Sequence, residues 1–469
     1  MRRILFVLSA GALTLSVSPA AGVTIDWREC PDSPKYDCAT VSVPKDWDHP
    51  EKHGRYRLAV RKLPSLSKGH KPTLFINPGG PGSSGVDQVE NFESDKRLRK
   101  HYDIVGFDPR GVGGSTPWPE GCARPATVNP RPQTGPFGWP GVTQQYFDAA
   151  ATVQGPCWDK NKASRPWMGT RYVLQDLDAL RSGVGDRKLS YYGVSYGTTL
   201  GRSYAHRYPQ RIRVMALDGV TDPSSNLFDK MRVHVVGAKS TWRMLHDGMP
   251  ASVQDLYTRV NDLLGNQVIP DPLGEPLDRW TFWKQGLLLQ NSTALAGYTC
   301  QVAEQAGLQL PQECATSATA GLGAASGDPS AAVVPIVDCL DWTGRPTSQD
   351  IAKAIESGGV GPEAAGNVIT YATLCSGVPA SKRPLPAVSH LKTSNPVLLV
   401  NGIWDLKTPL RGAELTHKNM VGSRLVSVKT KVHGVFHSLA VDSPCTNKIV
   451  YRYLIDRKLP ARDRTCGVR

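Results

Sequence analysis

Beyond its first 22 residues, this chain of 469 residues lacks any long apolar run. A helix that spans a bilayer needs about 20 mostly apolar residues, so we expect no transmembrane helix in that part. The chain also lacks a dense block of lysine and arginine interleaved with aromatic residues. Its formal net charge of +14 is spread along the sequence. This pattern predicts a solvated basic surface and no nucleic-acid partner.

No Cys-x-x-Cys pair occurs, which is the spacing typical of structural zinc sites, and we expect no metal and no other cofactor. The ten cysteines are an even number, which in an exported chain indicates disulfide bonds. We predict bonds between cysteines that are close in sequence, although sequence alone does not establish the connectivity. The expected pairs are Cys30–Cys38, Cys122–Cys157, Cys300–Cys314, Cys339–Cys375 and Cys445–Cys466.

Residues 1–22 have the pattern of a secretory signal peptide. Arg2 and Arg3 precede an apolar run over 4–17, and small residues at 18–20 supply a cleavage site. A membrane anchor is the alternative, but the apolar run is short for a span. We therefore expect a secreted protein. Its mature chain is long enough for one enzyme domain with an insertion, or for two domains.

Short apolar segments alternate with helical patterns in two parts of the chain, which predicts a mostly parallel sheet with helices on both faces. We place the core of this α/β fold at 23–223 and 395–469. The intervening 224–394 breaks the rhythm and is predicted to be a mainly helical cap. A Pro/Gly-rich stretch at 125–141 is expected to be irregular. Strands are expected at 56–63, 73–77, 104–107, 189–194, 212–217, 396–400 and 424–428, and helices at 172–180, 196–206, 253–264, 350–356 and after His437.

The segment Gly193-Val-Ser-Tyr-Gly197 matches the G-x-S-x-G pattern of a nucleophilic serine on a sharp strand-to-helix turn. The pattern alone is weak and also fits a structural glycine turn. Its context favours the nucleophile, because an apolar strand precedes Ser195 and a helix rich in small residues follows. The sequence therefore predicts an α/β-hydrolase fold with Ser195 as the nucleophile.

A serine nucleophile needs a base and an acid that orients the base, and in this fold they follow in the order serine, acid, histidine. Asp405 follows a predicted strand and is the expected acid, with a turn-forming role as the alternative. His437 and His433 are rival candidates for the base. We favour His437, because His433 is expected to end the last strand directly and Gly434 would leave His437 on the loop beyond it.

The run from Asn77 to Gly82 follows an early strand and is rich in glycine, which allows backbone N–H groups to point at one spot. We expect the N–H groups of Gly80 and Tyr196 to form the oxyanion hole. A plain Pro/Gly loop is the alternative interpretation of the run.

With these motifs in order, the chain resembles the secreted bacterial tripeptidyl aminopeptidase group of the prolyl-aminopeptidase family. The resemblance covers essentially the whole mature chain. It departs from the family at Asn77, where many relatives carry histidine, and at Phe436, where the family usually has glycine before the base. The matching segments are Asn77–Gly82, Asp108–Ser115, Tyr192–Thr198, Leu217–Val220, Asp405–Pro409 and the cap cysteines Cys339 and Cys375.

The resemblance implies a serine exopeptidase that hydrolyses peptide bonds near a free N-terminus through an acyl-enzyme. Its partners would be peptides with a free N-terminus; the oligomeric state stays open. Asp341 and Glu304 are candidates for binding the substrate's α-ammonium group, and ordinary paired or solvated acids are the alternative. An esterase or lipase on the same fold, or a catalytically idle binding protein, remain alternatives for the function.

Overall fold

A computed structural model of the protein describes residues 23–117, 139–272, 274–289, 291–316, 333–358 and 362–469. The predicted signal peptide and Cys122 lie outside these ranges. Four of the five predicted disulfides are present: Cys30–Cys38, Cys300–Cys314, Cys339–Cys375 and Cys445–Cys466.

Ten strands form one sheet in the order β1-β2-β3-β5-β4-β6-β7-β10-β11-β12. In this sheet the pairs β1–β2, β2–β3 and β3–β5 are antiparallel, and all the other neighbouring strands are parallel. Two short strands, β8 and β9, form a separate antiparallel pair. The strands are β1 (Arg28–Cys30), β2 (Ser33–Pro44), β3 (Arg55–Leu63), β4 (Thr73–Asn77), β5 (Asp103–Phe107), β6 (Leu189–Val194), β7 (Ile212–Asp218), β8 (Ile269–Pro270), β9 (Pro276–Leu277), β10 (Leu398–Gly402), β11 (Arg424–Val428) and β12 (Arg464–Cys466).

Helices cover the sheet and fill the chain between β7 and β10. Short 3-10 helices occur at Val89–Phe92, Arg165–Trp167, Pro209–Arg211 and Gln312–Thr316. The α-helices are α1 (Gly85–Gln88), α2 (Lys96–Arg99), α3 (Trp139–Lys160), α4 (Thr170–Gly183), α5 (Tyr196–Arg207), α6 (Leu227–Asp247), α7 (Ala251–Leu264), α8 (Arg279–Leu289), α9 (Ser292–Gln305), α10 (Val333–Asp341), α11 (Ser348–Ser357), α12 (Pro362–Ala372), α13 (Leu410–Asn419) and α14 (Pro444–Asp456).

The central strands are apolar on both faces, which is why the sheet holds two separate cores. In β4, Phe75 packs into a cluster with α4 and α5, whereas Leu74 and Ile76 pack into a second cluster with α14. Successive side chains of a strand point to opposite faces, so this alternation follows directly from the strand geometry. Helices on both faces of a mostly parallel sheet confirm the predicted α/β-hydrolase fold.

A third apolar cluster is formed mainly by helices between β7 and β10. Tyr146 of α3 belongs to it and accepts a hydrogen bond from Trp280, while Thr143 donates to the carbonyl of Ser348 at 3.2 Å. Helix α3 therefore packs with the helices of the predicted cap, although it precedes 224 in the chain. The boundaries 23–223, 224–394 and 395–469 stay a prediction.

Candidate active site

Ser195 lies between β6 and α5, with φ 58° and ψ −122°. This left-handed conformation is uncommon for a residue with a side chain, and such strain is typical of functional sites. The turn is tight, because a Cβ atom on Gly197 would lie 2.6 Å from the carbonyl oxygen of Asn77. The Ser195 N–H donates to the carbonyl of Asp218 at 3.0 Å, which fixes the turn to the end of β7. The geometry is that of a nucleophile elbow.

Asp405 lies three residues beyond β10 and is 1% exposed. Its Oδ1 accepts hydrogen bonds from the N–H groups of Lys407 (2.9 Å) and Thr408 (3.0 Å). Its Oδ2 accepts from the Thr408 hydroxyl at 2.7 Å and lies 2.8 Å from Nδ1 of His433. The turn after the strand therefore holds the carboxylate in one orientation, with His433 on one of its oxygens.

The prediction that His437 faces Asp405 is wrong. Nε2 of His437 lies 2.6 Å from Oδ2 of Asp95, and its ring packs 4.4 Å from the ring of Phe92. Asp95 also caps α2 and accepts a hydrogen bond from the Tyr451 hydroxyl at 2.9 Å. His437 is thus part of a packed cluster on the side of α2 and α14, away from Asp405.

Two features explain why His433 takes the place beside Asp405. Strand β11 ends at Val428, so His433 already lies in the loop beyond the strand. Farther along this loop, the N–H groups of Val435 (2.9 Å) and Phe436 (2.7 Å) donate to Oδ2 of Asp218. These bonds tie the loop to the end of β7 directly after Gly434 and direct His437 elsewhere.

Asp218 is a site residue that the sequence reasoning did not single out for a role. It is fully buried, and burial raises the pKa of its carboxyl to about 6. The two loop N–H groups and the Tyr192 hydroxyl at 3.1 Å act in the opposite direction, because they stabilise the carboxylate. The only signal in the sequence was its position at the end of a predicted strand, in the Leu217–Val220 segment.

Gly80, Ser195 and Tyr196 line one cavity of about 80 Å³. Gly79 allows the glycine-rich loop to approach the elbow, because its φ is +101° and a Cβ atom there would lie 2.5 Å from the carbonyl oxygen of Val194. Asn77 holds the loop by accepting a hydrogen bond from the Gly79 N–H at 3.1 Å. The arrangement brings both predicted oxyanion residues beside the serine.

The opposite wall of this cavity comes from the helices between β7 and β10. It includes Lys230 and His234 of α6, Asp338 of α10 and Trp342, which follows α10 directly. All are at least nine-tenths buried. Ser195 and these charged and aromatic side chains therefore line the same small cavity.

The two predicted substrate-binding acids are not among the residues that line this cavity. Asp341 is buried against α4, where its oxygens accept hydrogen bonds from the N–H (2.9 Å) and the hydroxyl of Thr170. Burial raises the pKa of its carboxyl to about 7. Asp341 lines a separate cavity of about 370 Å³, and Glu304 is exposed on α9.

Within the described residues, the one group of histidine, cysteine and acidic side chains close enough to share a metal ion is Cys30, Asp32 and Cys38. The two cysteines are bonded to each other, so they offer no thiolate to a metal. A membrane-spanning helix, long and apolar enough, is not found in the parts of the chain that the structure describes.

The parallel sheet, the strained serine after β6 and the Asp405–His433 pair define an α/β-hydrolase. In agreement, a family model described as "alpha/beta hydrolase fold" matches residues 72–243, and one described as "TAP-like protein" matches residues 362–466. The chain is similar to the tripeptidyl aminopeptidase group of these hydrolases.

Relatives along the whole chain and along parts of it accord with this group. The tripeptidyl aminopeptidase of Streptomyces lividans is 28% identical over 506 residues, covering 98% of this chain and 89% of that protein. Serine protease Hip1 of Mycobacterium tuberculosis is 37% identical over 229 residues, covering 46% of this chain and 43% of that protein. Carboxylesterase B of the same species is 33% identical over 270 residues, covering 50% and 51%. The first two support a serine hydrolase that is a peptidase of the aminopeptidase type.

Proposed function

We propose that the protein is a secreted serine exopeptidase that cleaves peptides near a free N-terminus through an acyl-enzyme. The observation that carries the proposal is the Asp405–His433 pair at the edge of the sheet that also presents Ser195. The registers support it, because Asp218 pairs with both Val194 and Val400 and so brings the ends of β6, β7 and β10 together.

In the proposed reaction, the Ser195 hydroxyl oxygen attacks the carbonyl carbon of the scissile bond. His433 takes the hydroxyl proton on Nε2, while Asp405 holds the ring through Nδ1 and stabilises the imidazolium. The oxyanion accepts hydrogen bonds from the N–H groups of Gly80 and Tyr196. His433 then protonates the leaving amine, and water, activated by the same histidine, hydrolyses the acyl-enzyme.

The cap residues in front of Ser195 support an exopeptidase over an endopeptidase. Residues of α6, α10 and α12 line the space in front of Ser195, so a chain end fits the space better than the middle of a long peptide. In this proposal the cap at 224–394 restricts access to the core formed by 23–223 and 395–469.

Secretion with removal of 1–22 is the second part of the proposal. The four disulfides support it, because such bonds persist in oxidising compartments outside the cytosol. N-terminal sequencing of protein collected from the culture medium tests it. A mature chain that begins near residue 23 is expected, and an intact Met1 on medium protein would contradict it.

The main test compares a tripeptide p-nitroanilide with a free N-terminus with its N-acetylated form, using wild-type protein and Ser195→Ala. We expect cleavage of the free substrate only, and a loss of at least about a thousandfold in the variant, because the nucleophile is removed. Equal cleavage of both substrates would contradict the exopeptidase. The carboxylesterase B relative makes an esterase the second candidate, and hydrolysis of p-nitrophenyl esters without any anilide cleavage would favour it.

A further inference from the structure

Lys230 and His234 are one helical turn apart on α6, so their side chains share a face of the helix. Both line the cavity that contains Ser195. They are 7% and 8% exposed, which is unusual for polar side chains without a full set of partners. The catalytic steps proposed above use neither residue.

The Lys230 ammonium group has unused hydrogen-bonding capacity. Its Nζ donates to the carbonyl oxygen of Asp222 at 3.1 Å and lies 4.9 Å from the ring centre of Trp342. An ammonium group has three N–H donors, and among the described residues no second acceptor is bound to it. Burial lowers the pKa of Lys230 to about 8, although the nearby Asp222 and Asp338 oppose this shift. A buried charge so incompletely paired is costly for stability, which indicates a role in binding.

His234 also has unused hydrogen-bonding capacity, but its ring is neutral. Its Nδ1 is buried without a hydrogen-bond partner within the described parts of the chain. Its ring stacks on Tyr371 with 3.6 Å between the ring centres. Burial lowers the pKa of His234 to about 3, so the ring is neutral and offers one donor and one acceptor.

We propose that Lys230 and His234 bind the substrate's peptide group that precedes the residue attacked by Ser195. In this arrangement, which rests on the proposed function, Lys230 donates to the carbonyl oxygen of that peptide group and His234 contacts its N–H. The two residues would then determine how many residues are released from the N-terminus.

The charge of Lys230 gives the reason for a preference in length. In the release of a single amino acid, the α-ammonium group is bonded next to the attacked carbonyl and would enter the same cavity. Two like charges that share one small, largely buried cavity repel each other. Asp222 and Asp338 line the cavity and reduce this repulsion.

Release of two or more residues avoids the conflict. The α-ammonium group then lies farther out by about 3.3–3.6 Å for each additional residue, and a neutral peptide group takes its place beside Lys230. The cavity is therefore suited to an acyl group of at least two residues.

The test measures kcat/KM of Lys230→Met and His234→Phe on alanine p-nitroanilide and on trialanine p-nitroanilide. Methionine keeps the length of the lysine stem, and phenylalanine keeps the stacking on Tyr371. For trialanine we expect kcat/KM to fall by about 10- to 100-fold in Lys230→Met, the usual effect of losing a hydrogen bond from a charged group, and by less in His234→Phe. For the single-residue substrate we expect Lys230→Met to leave kcat/KM unchanged or to raise it.

Lys239→Met is the matched control, because Lys239 is on the same helix and also donates to a single backbone carbonyl, that of Gly358, but does not line the cavity. We expect it to leave both substrates unaffected. An equal loss on both substrates in Lys230→Met, with an unchanged thermal melt, would overturn the proposal.

A second substrate pair separates this proposal from the proposed function. If wild-type protein cleaves no anilide, the exopeptidase function fails, and the same variants are measured on p-nitrophenyl acetate and the p-nitrophenyl ester of N-acetylglycine. Only the second ester has a peptide group before the attacked carbonyl. Lys230→Met should lower kcat/KM for that ester alone, and equal values for the variant and wild type on both esters would overturn the assignment.

Discussion

His433 and His437 are four residues apart, yet each contacts a different carboxylate. His433 lies 2.8 Å from Asp405 and His437 lies 2.6 Å from Asp95. Both rings are largely buried, and both contacts are short enough for charge-assisted hydrogen bonds. Of the two, we propose His433 as the base, because the loop's hydrogen bonds to Asp218 leave it beside Asp405 and direct His437 to Asp95.

We predict opposite results when the two histidines are replaced. His433→Ala should lower kcat by at least about a thousandfold, because the base is lost, with little change in stability. His437→Asn should keep kcat/KM within about threefold but lower the free energy of unfolding by about 1–3 kcal/mol, since the bond to Asp95 and the packing on Phe92 are lost. Asparagine suits the site because the φ of His437 is 60°.

Steady-state kinetics and urea unfolding of the two variants, side by side, provide the measurement. A large loss of kcat in His437→Asn, together with an active His433→Ala, would contradict this prediction and identify His437 as the base.

At the scale of elements, Asp341 joins the end of α10 to the start of α4. Its carboxyl accepts two hydrogen bonds from Thr170, whose hydroxyl is also bonded to that of Tyr196. These contacts connect a helix of the predicted cap with a helix of the core, directly behind a residue of the expected oxyanion hole. Asp341 is thus better placed to position elements than to bind an α-ammonium group.

We predict that Asp341→Asn stabilises the protein above neutral pH. Burial raises the pKa of this carboxyl from 3.8 to about 7, so the folded protein binds the proton more tightly than the unfolded chain. The carboxyl's contribution to stability is therefore greatest below pH 3.8 and is lost as the pH rises to about 7, by up to about 1.4 kcal/mol per pH unit. Asparagine removes this loss and can still accept the bond from the Thr170 N–H.

Unfolding in urea at pH 5 and at pH 8 tests whether the stabilisation by Asp341→Asn increases with pH. The gain in unfolding free energy of Asp341→Asn over wild type should be larger at pH 8. An equal gain at the two pH values would contradict the prediction, because it would show that this carboxyl is already ionised in the folded protein at pH 5.

Elements with a strong local pattern were predictable from the sequence. The bounds of β4, β6 and β11 agree with the structure, because each is a short apolar run that ends at a turn. Strands β1 and β12 were not predicted, since two of the three residues in each are exposed and lack an apolar pattern. Helix α3 was not predicted, and Pro140 and Gly141 at its start were assigned to an irregular segment. Proline is tolerated in the first turn of a helix, which the composition alone does not reveal.

At the scale of the whole molecule, the site depended on contacts between distant parts of the chain. Ser195 and Asp405 follow strands that could be recognised locally, and both predictions placed them at the same edge of the sheet. Which histidine lies beside Asp405 depended on Asp218. Its carboxylate accepts a hydrogen bond from the N–H of Phe436, which is more than 200 residues away in sequence. The cavity wall formed by Lys230 and His234 likewise depended on how the cap helices pack, which the sequence pattern did not specify.

One disulfide lies at the edge of the sheet and another lies in the predicted cap. Removing each in turn allows effects on stability to be measured separately from effects on activity. Cys30–Cys38 closes a loop of 8 residues at the edge of the sheet, whereas Cys339–Cys375 closes one of 36 and fixes α10 to the segment after α12. Helix α10 carries Asp338, and Trp342 follows it directly; both line the Ser195 cavity. Of these two bonds, only the second therefore connects to the wall of the site.

We predict that replacing both cysteines of either disulfide with alanine lowers the free energy of unfolding. The loss should be about 2–3 kcal/mol for Cys30–Cys38 and about 4 kcal/mol for Cys339–Cys375, because loop-closure entropy grows with loop length. Only the second pair of substitutions should also raise KM for the tripeptide anilide, because α10 would no longer be held against the cavity. Urea unfolding and kinetics on both variants, at a temperature where each is folded, measure the two effects separately. An unchanged KM in the Cys339–Cys375 variant would mean that packing alone holds this wall, and that the cap forms the substrate cavity without help from its crosslink.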